Sequence, residues 1–438
     1  MFGKTKLAGL LMVVGMGLSA NCAVPSAQAQ TATPPPPPAV QVGKCRGGVP
    51  SYATIQAAVN AAAAGASVYV CPGTYPEQVV INKNLSVTGV PSGNASAAVI
   101  VSPSGGLVQN ATDPSPASAN PPIAAQLSVQ GPNVTVNLTN LTVDGSNNRL
   151  SSCGAPTLVG VYYLHASGTL QGLNLRNQVL DSADMACSSG LGSYLEGISA
   201  NAITFKNSTV SNYQKNGITA NGDGSGTGPV VNFTGNTVVG QGPTAGIAQN
   251  GIQIGYGASG KATLNLVLDS VSSGTNSSSV AATGILLNAS NGVTVFNDKI
   301  SNTDFAVAAV SDALYGTADS NNINTNIITA SKIAAVELCG NNNLVQWNDL
   351  YSSGQASVKV DSSCTEGPGG GSSGNGNTVN NNNFNGDCAG ILVGSGTGNI
   401  FATNPLIVNV FTTIESGSTC TPPNSTSAPA TGLPVPFR

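Results

Sequence analysis

The chain has 438 residues, of which only 7% are charged, with 14 Lys and Arg against 18 Asp and Glu and a formal net charge of −4. A charged share so far below the usual quarter excludes helical bundles and coiled coils. The lack of any basic cluster excludes a partner that must be held by its phosphates, so no nucleic acid is expected. One histidine, His165, leaves no room for a His-rich metal site, yet 40% hydrophobic residues suffice for a core. The surface must therefore be built from Asn, Ser, Thr and the 54 Gly.

In chain order, residues 1–29 read as a secretory signal peptide. Lys4 and Lys6 are the basic region, Leu7 to Leu18 the apolar run, and Ala27-Gln28-Ala29 a small-x-small cleavage site. Lipid attachment through Cys22 fits less well, because Asn21 stands where a small residue is wanted. No membrane span is expected. Of nine cysteines, eight remain after cleavage, an even number that in an exported chain reads as disulfides. The predicted location is secreted, extracellular or periplasmic. Residues 30–44, with the run Pro34 to Pro38, read as a Pro-rich linker. Residues 45–416 form one repeating domain, and 417–438 a Pro/Ser/Thr-rich tail.

Ile55, Ala58, Val59 and Ala62 recur at helical spacing, predicting a short cap helix over Tyr52–Ala64 that Gly65 stops. Val68–Val70, Val79–Ile81 and Leu85–Val87 read as the first strands. A small residue followed by a branched apolar one then recurs: Gly197-Ile198, Gly217-Ile218, Gly251-Ile252, Gly284-Ile285 and Gly390-Ile391, with degenerate copies at Gly160-Val161, Ala306-Val307, Ala335-Val336 and Ser357-Val358. A second column is Asn140, Asn177, Asn207, Asn236, Asn297, Asn326, Asn348 and Asn382, with Asp269 in one copy. Period-2 apolar segments at such intervals mean strands stacked as a solenoid. An amide carries both donors and an acceptor, so an inward Asn column can hydrogen-bond to itself. The prediction is an all-β, single-stranded right-handed parallel β-helix of about ten coils, with an N-terminal α-helical cap.

The stretch Thr54-Ile55-Gln56-Ala57-Ala58-Val59, Val68-Tyr69-Val70, Pro72-Gly73-Thr74-Tyr75-Pro76-Glu77 and Thr88-Gly89 resembles the opening of the pectin-lyase-like superfamily. Tyr213–Ile218 and Ala248–Gln253 resemble uncharacterised secreted β-helix repeat proteins. The resemblance implies the fold and carries no chemistry over. The Gln-Asp-Thr and Asp-Phe-x-Phe-Gly motifs of pectinesterases, the Asp-Asp pair and Gly-His-Gly of polygalacturonases, and an Arg-rich lyase motif are all missing. No cofactor is predicted; Ca²⁺ stays open as an alternative that no residue cluster supports.

Insertions at 144–159, 181–195 and 240–249 leave the solenoid at one phase of successive coils. They suggest a groove wall made of Asp144, Arg149, Asp181, Asp184, Tyr194 and Gln249, joined by Tyr162, Glu196, Tyr213 and Lys215. Tyr rings stack on sugar faces, and carboxylates accept hydroxyls or act as a catalytic pair. The same residues could equally be solvated loop positions. His165 has no evident acid partner, Trp347 reads as packing, and Glu77 as a support for the cap. Two functions compete: binding or acting on an extracellular polysaccharide, as a monomer, or a non-catalytic structural or adhesive surface protein. The coil alignment predicts the disulfides Cys45–Cys71, Cys153–Cys187, Cys339–Cys364 and Cys388–Cys420, with Cys364–Cys388 as the rival pairing.

Overall fold

The computed structural model describes residues 38–420, apart from 93–94, 97, 115–120, 182–186, 274–280, 362–363, 365–373, 409, 411 and 418. The expected signal peptide, most of the linker, Asp184 and the tail beyond Cys420 lie outside the described residues. Val40–Val42 falls in the stretch expected to be linker. It is nevertheless a buried strand, parallel to Val68–Val70, because its two valines can enter the core where the prolines before it cannot. The solenoid thus opens earlier than Cys45.

The helix runs from Ile55 to Ala61, shorter than predicted, and buries Ile55, Ala58 and Val59. Thr54 caps it by accepting from the Ala57 N–H at 3.1 Å. Glu77 takes the next orphan donors, with its two oxygens on the Ile55 and Gln56 N–H groups at 2.7 and 2.9 Å. The Gly-Thr-Tyr-Pro-Glu segment therefore serves the cap, as its position suggested.

Among the described residues twelve coils follow, more than the ten or so expected, each with three short strands that we number as first, second and third faces. They begin on the first face at Ser67, Leu85, Val134, Ala166, Ala202, Val230, Ser259, Thr294, Asn322, Leu344, Thr378 and Ile400. Coil 5 shows the pattern: Ala202–Lys206 on the first face, Thr209–Tyr213 on the second and Asn216–Gly222 on the third. Each strand pairs in parallel with its counterpart in the next coil, as Phe205 with Phe233 and Ile218 with Ile252. Alternation sends every second side chain inward, and one core runs from Val40 to Ile391.

The Asn column is real, but its membership differs from the prediction. Between the first and second faces the chain turns on two residues. The first has positive φ (Asn207 50°, Leu264 60°, Trp347 55°) and the second points inward. The inward series is Ser208, Asn236, Asn265, Asp298, Asn326, Asn348, Asn382 and Asn404. Each donates its backbone N–H to the next side chain, for example Asn326 to Asn348 Oδ1 at 2.9 Å and Asn348 to Asn382 Oδ1 at 3.0 Å. Amide nitrogens reach back to the preceding coil, as Asn326 Nδ2 to the Val295 carbonyl at 3.1 Å. Asn140, Asn207 and Asn297 occupy the left-handed position one residue earlier, where Asn is also favoured. Asn177 and Asp269 belong to the following corner. Trp347, expected to pack, is 58% exposed at this turn.

The Gly-Ile motif needs one correction. Gly160, Gly217, Gly251, Gly284, Ala306, Ala335, Ser357 and Gly390 share one register at the start of the third face, but coil 4 fills it with Gly192-Ser193. Gly197 lies at the far end of that strand, opposite Gly222.

All four disulfides have the predicted partners, with Cα separations of 5.1 to 6.0 Å. Among the described residues no helix is long and apolar enough to cross a membrane.

Candidate functional site

The residues predicted to line one groove occupy three places. Asp144 ends a second-face strand and is fully engaged there. Its Oδ2 accepts from Arg176 Nε at 2.8 Å, and its Oδ1 from Asn177 and from the Ser146 N–H and hydroxyl. Burial alone would raise this carboxyl, but those bonds outweigh it and hold the pKa below the ordinary value. The neighbouring insertions do meet: Asp181 Oδ2 accepts the Arg149 N–H at 2.6 Å, and Cys153–Cys187 ties them together. Arg149 and Asp181 thus join two loops rather than line a cleft.

Tyr213, Lys215 and Gln249 gather where the second face passes into the third. Tyr213 is wholly buried in the core, its hydroxyl 3.2 Å from Ser270 Oγ, so it lines no surface. Gln249 is buried too, donating to the Tyr213 carbonyl at 2.6 Å and accepting from the Gln241 N–H. Lys215 Nζ donates to the Ala248 carbonyl at 2.5 Å. These three pin the 240–249 loop. The sequence reading failed here because a loop's phase says where it leaves the coil, and not which of its side chains turn back inward.

The remaining three, Tyr162, Tyr194 and Glu196, do converge, on the outer side of the third face. Val161, Tyr163 and Leu195 point inward, so Tyr162, Tyr194 and Glu196 point outward. Tyr162, Tyr194, Thr219 and Gln253 stand in one register across coils 3 to 6, and Leu164, Glu196 and Asn221 in a parallel one. The two tyrosine rings lie 5.5 Å apart, tilted by 37°. Tyr162 donates to Glu196 Oε2 at 2.7 Å, and Tyr194 to Asp113 Oδ2 at 3.2 Å.

Asp113 arrives on a segment that folds over this row. Ala111–Thr112 pairs antiparallel with Pro122–Ile123, which bends the chain back across the face. At the strand ends, His165 Nε2 lies 2.8 Å from Asp223 Oδ2, so His165 has the acid partner that its sequence neighbours did not reveal. Below them, Asn216 and Asn250 bond to each other and to Gln253, which donates to Asn221 Oδ1 at 3.0 Å.

Glu196 is the chemical centre of this cluster. It is 0% exposed, with Tyr162 on its Oε2 and the Asp113 carboxyl hydrogen-bonded to it as a second acid. Burial, reinforced by the Asp113 carboxyl, pushes its pKa up to about 10, against the pull of the Tyr162 hydrogen bond. Tyr162 is raised as well, by burial and by Glu196. Asp223 is held below its ordinary value, its burial outweighed by bonds from Ser225 and by His165. At neutral pH the site therefore presents a proton-bearing carboxyl beside two tyrosines, with an ionised Asp223 at its edge. Such a set can donate to and accept from hydroxyl groups and can deliver a proton. Among the described residues no three His, Cys, Asp or Glu converge closely enough to hold a metal.

Asp113, His165 and Asn221 escaped the sequence reading. Asp113 lies 81 residues from Tyr194 along the chain, and no short-range signal joins them. The His165–Asp223 pair could have been found from coil register, since Leu164 and Asn221 share one.

No protein-family model matches the chain, and no curated protein matches it. Solved structures do. A GH136 lacto-N-biosidase from Eubacterium ramulus has a TM-score of 0.51 at 10% identity, over 87% of this chain and 67% of that one. An alginate lyase from Paenibacillus sp. str. FPU-7 has a TM-score of 0.46 at 14% identity, over 67% and 91%. A DFA-IIIase from Arthrobacter chlorophenolicus A6 has a TM-score of 0.46 at 15% identity, over 81% and 89%. At such identity the likeness concerns fold, and the parallel β-helix is the fold found here.

Proposed function

We propose that this is a secreted protein that binds and acts on an extracellular polysaccharide on the outer side of the third face, around Glu196. The observation that carries the reading is the buried Glu196 carboxyl. A chain with 7% charged residues places a buried carboxyl, a second carboxyl bonded to it and two tyrosines on one side of a rigid scaffold. Buried acids with strongly shifted pKa values cluster at functional sites. The fold suits the task, since rigid stacked strands present side chains in rows, and saccharide-acting proteins such as the lacto-N-biosidase are built on it. Four disulfides agree with export into an oxidising compartment.

The competing reading, a non-catalytic surface protein, has one observation on its side. Tyr162, Tyr194 and Glu196 are all buried, as they would be if the network merely fastened the 111–113 segment to the face. A glycan array separates the two. The expected result is retention of at least one polysaccharide by the wild type, weakened about tenfold, or ~1.4 kcal/mol, by Glu196→Gln at unchanged melting temperature. A variant that loses stability and leaves binding intact would assign the network to structure.

A further inference from the structure

The charge around Glu196 bears on which saccharide the site could take. Three carboxyls surround the tyrosine pair: Asp113, Glu196 and Asp223. Among the described residues the imidazole of His165 stands beside them, already engaged by Asp223. Arg149 lies in the disulfide-tied insertion bound to Asp181 through its backbone, and the following basic side chains are held elsewhere. Arg176 is bound to Asp144 on the second face. Lys215 sits at the opposite end of its strand from Asn221, six residues or roughly 20 Å away, on the Ala248 carbonyl. Lys359 stands six coils further on, roughly 29 Å away, between Glu337 and Asp361.

We infer that this site takes uncharged saccharides and rejects uronate polymers, a conclusion that rests on the reading of the site given above. A uronate carries a carboxylate on every ring. To bind, it needs a cation or a set of N–H donors at that carboxylate, and β-elimination needs the same neutralisation to loosen the proton at C5. Here an incoming carboxylate meets Asp223, held ionised, in a cluster of three carboxyl side chains whose surroundings are dry enough that like charges are poorly screened. A neutral sugar meets the opposite case. Its hydroxyls can donate to the Asp223 carboxylate at the strand ends and from there reach the Glu196 carboxyl. Burial keeps Glu196 itself uncharged, so no counter-ion is required. Entry is from the strand ends, where the His165 and Asp223 side chains are 35% and 13% exposed.

The test is affinity electrophoresis of the full chain, the Glu196→Gln variant and the Tyr194→Phe variant. The gels carry neutral matrices (glucan, mannan, xylan, arabinan) or uronate matrices (polygalacturonate, alginate), at 20 and 500 mM NaCl. The melting temperature of each variant is checked first, and Tyr194→Phe serves where Glu196→Gln is unfolded. The inference expects retardation by at least one neutral matrix, equal at both salt concentrations and at least tenfold weaker in a variant, with none by the uronates. Retardation by a uronate that a variant abolishes would overturn the charge inference and leave the site standing. Retardation that neither variant changes would place binding elsewhere and overturn the site reading, and with it the inference. No retardation by any matrix would overturn both.

Discussion

Asp298 stands in a column of amides and supplies no amide donor. Its Oδ1 accepts from the Asn265 N–H and Nδ2 at 2.6 and 2.9 Å, as an Asn oxygen would. Its Oδ2, where the others carry Nδ2, is buried without a partner. Burial raises its pKa to about 7 despite those accepted bonds. The folded carboxyl thus holds its proton well above the pH at which the unfolded chain releases it. Stability associated with that proton is fully present below about pH 3.8 and is lost as pH rises through about 7. Asp298→Asn restores the donor at every pH. Urea unfolding at pH 8 should show the variant more stable by about 1–3 kcal/mol, with a smaller gain at pH 5. An equal gain at both pH values would mean that the carboxyl does not titrate in this range.

At the scale of the strand and its corner, the Gly-Ile register shows what spacing can and cannot disclose. A Cβ on Gly251 would fall 2.5 Å from Val267 Cγ1 and 2.6 Å from the Gly284 carbonyl. The small residue is there because a second-face side chain and the next coil press against that spot. Gly251→Ala should cost about 1–3 kcal/mol through overpacking, read as a lower urea midpoint at unchanged slope. A stability change below ~0.5 kcal/mol would show that the contact relaxes freely. Where the pattern repeats with the same chemistry, as at Gly217, Gly251 and Gly284, the sequence discloses the register. Where coil 4 substitutes Gly192-Ser193, the eye moves to Gly197-Ile198, five residues late. The Asn column was misjudged for a related reason. Two adjacent positions of one corner both favour Asn, one for its left-handed backbone and one for its amide, and composition alone does not separate them. The disulfides were legible because they depend on which coils adjoin, a coarser matter than which residue points inward.

Across the whole molecule, repetition made the fold legible and hid most of the site. Stacking twelve coils over one core follows from periodicity, and so does the presence of a cap. The cluster at Glu196 depends on Asp113, carried over the face by a departure from the repeat, and on Asp223, brought beside His165 by coil register. Of the ten residues first gathered into a groove, the structure brings together Tyr162, Tyr194 and Glu196. It sets Asp144, Arg149 and Asp181 on the second face and its insertions, buries Tyr213 and Gln249, and fixes Lys215 at the far strand edge. The account's central claim is that saccharide binds on the outer third face at Glu196. A crystal structure of the protein soaked with an oligosaccharide of whichever polymer it retains tests this most directly. The account predicts sugar density on the outer third face at the strand ends, with a hydroxyl within hydrogen-bond reach of Asp223 or of the Glu196 carboxyl, whereas sugar bound along the first or second face, or in the disulfide-tied insertions around Arg149 and Asp181, would contradict it.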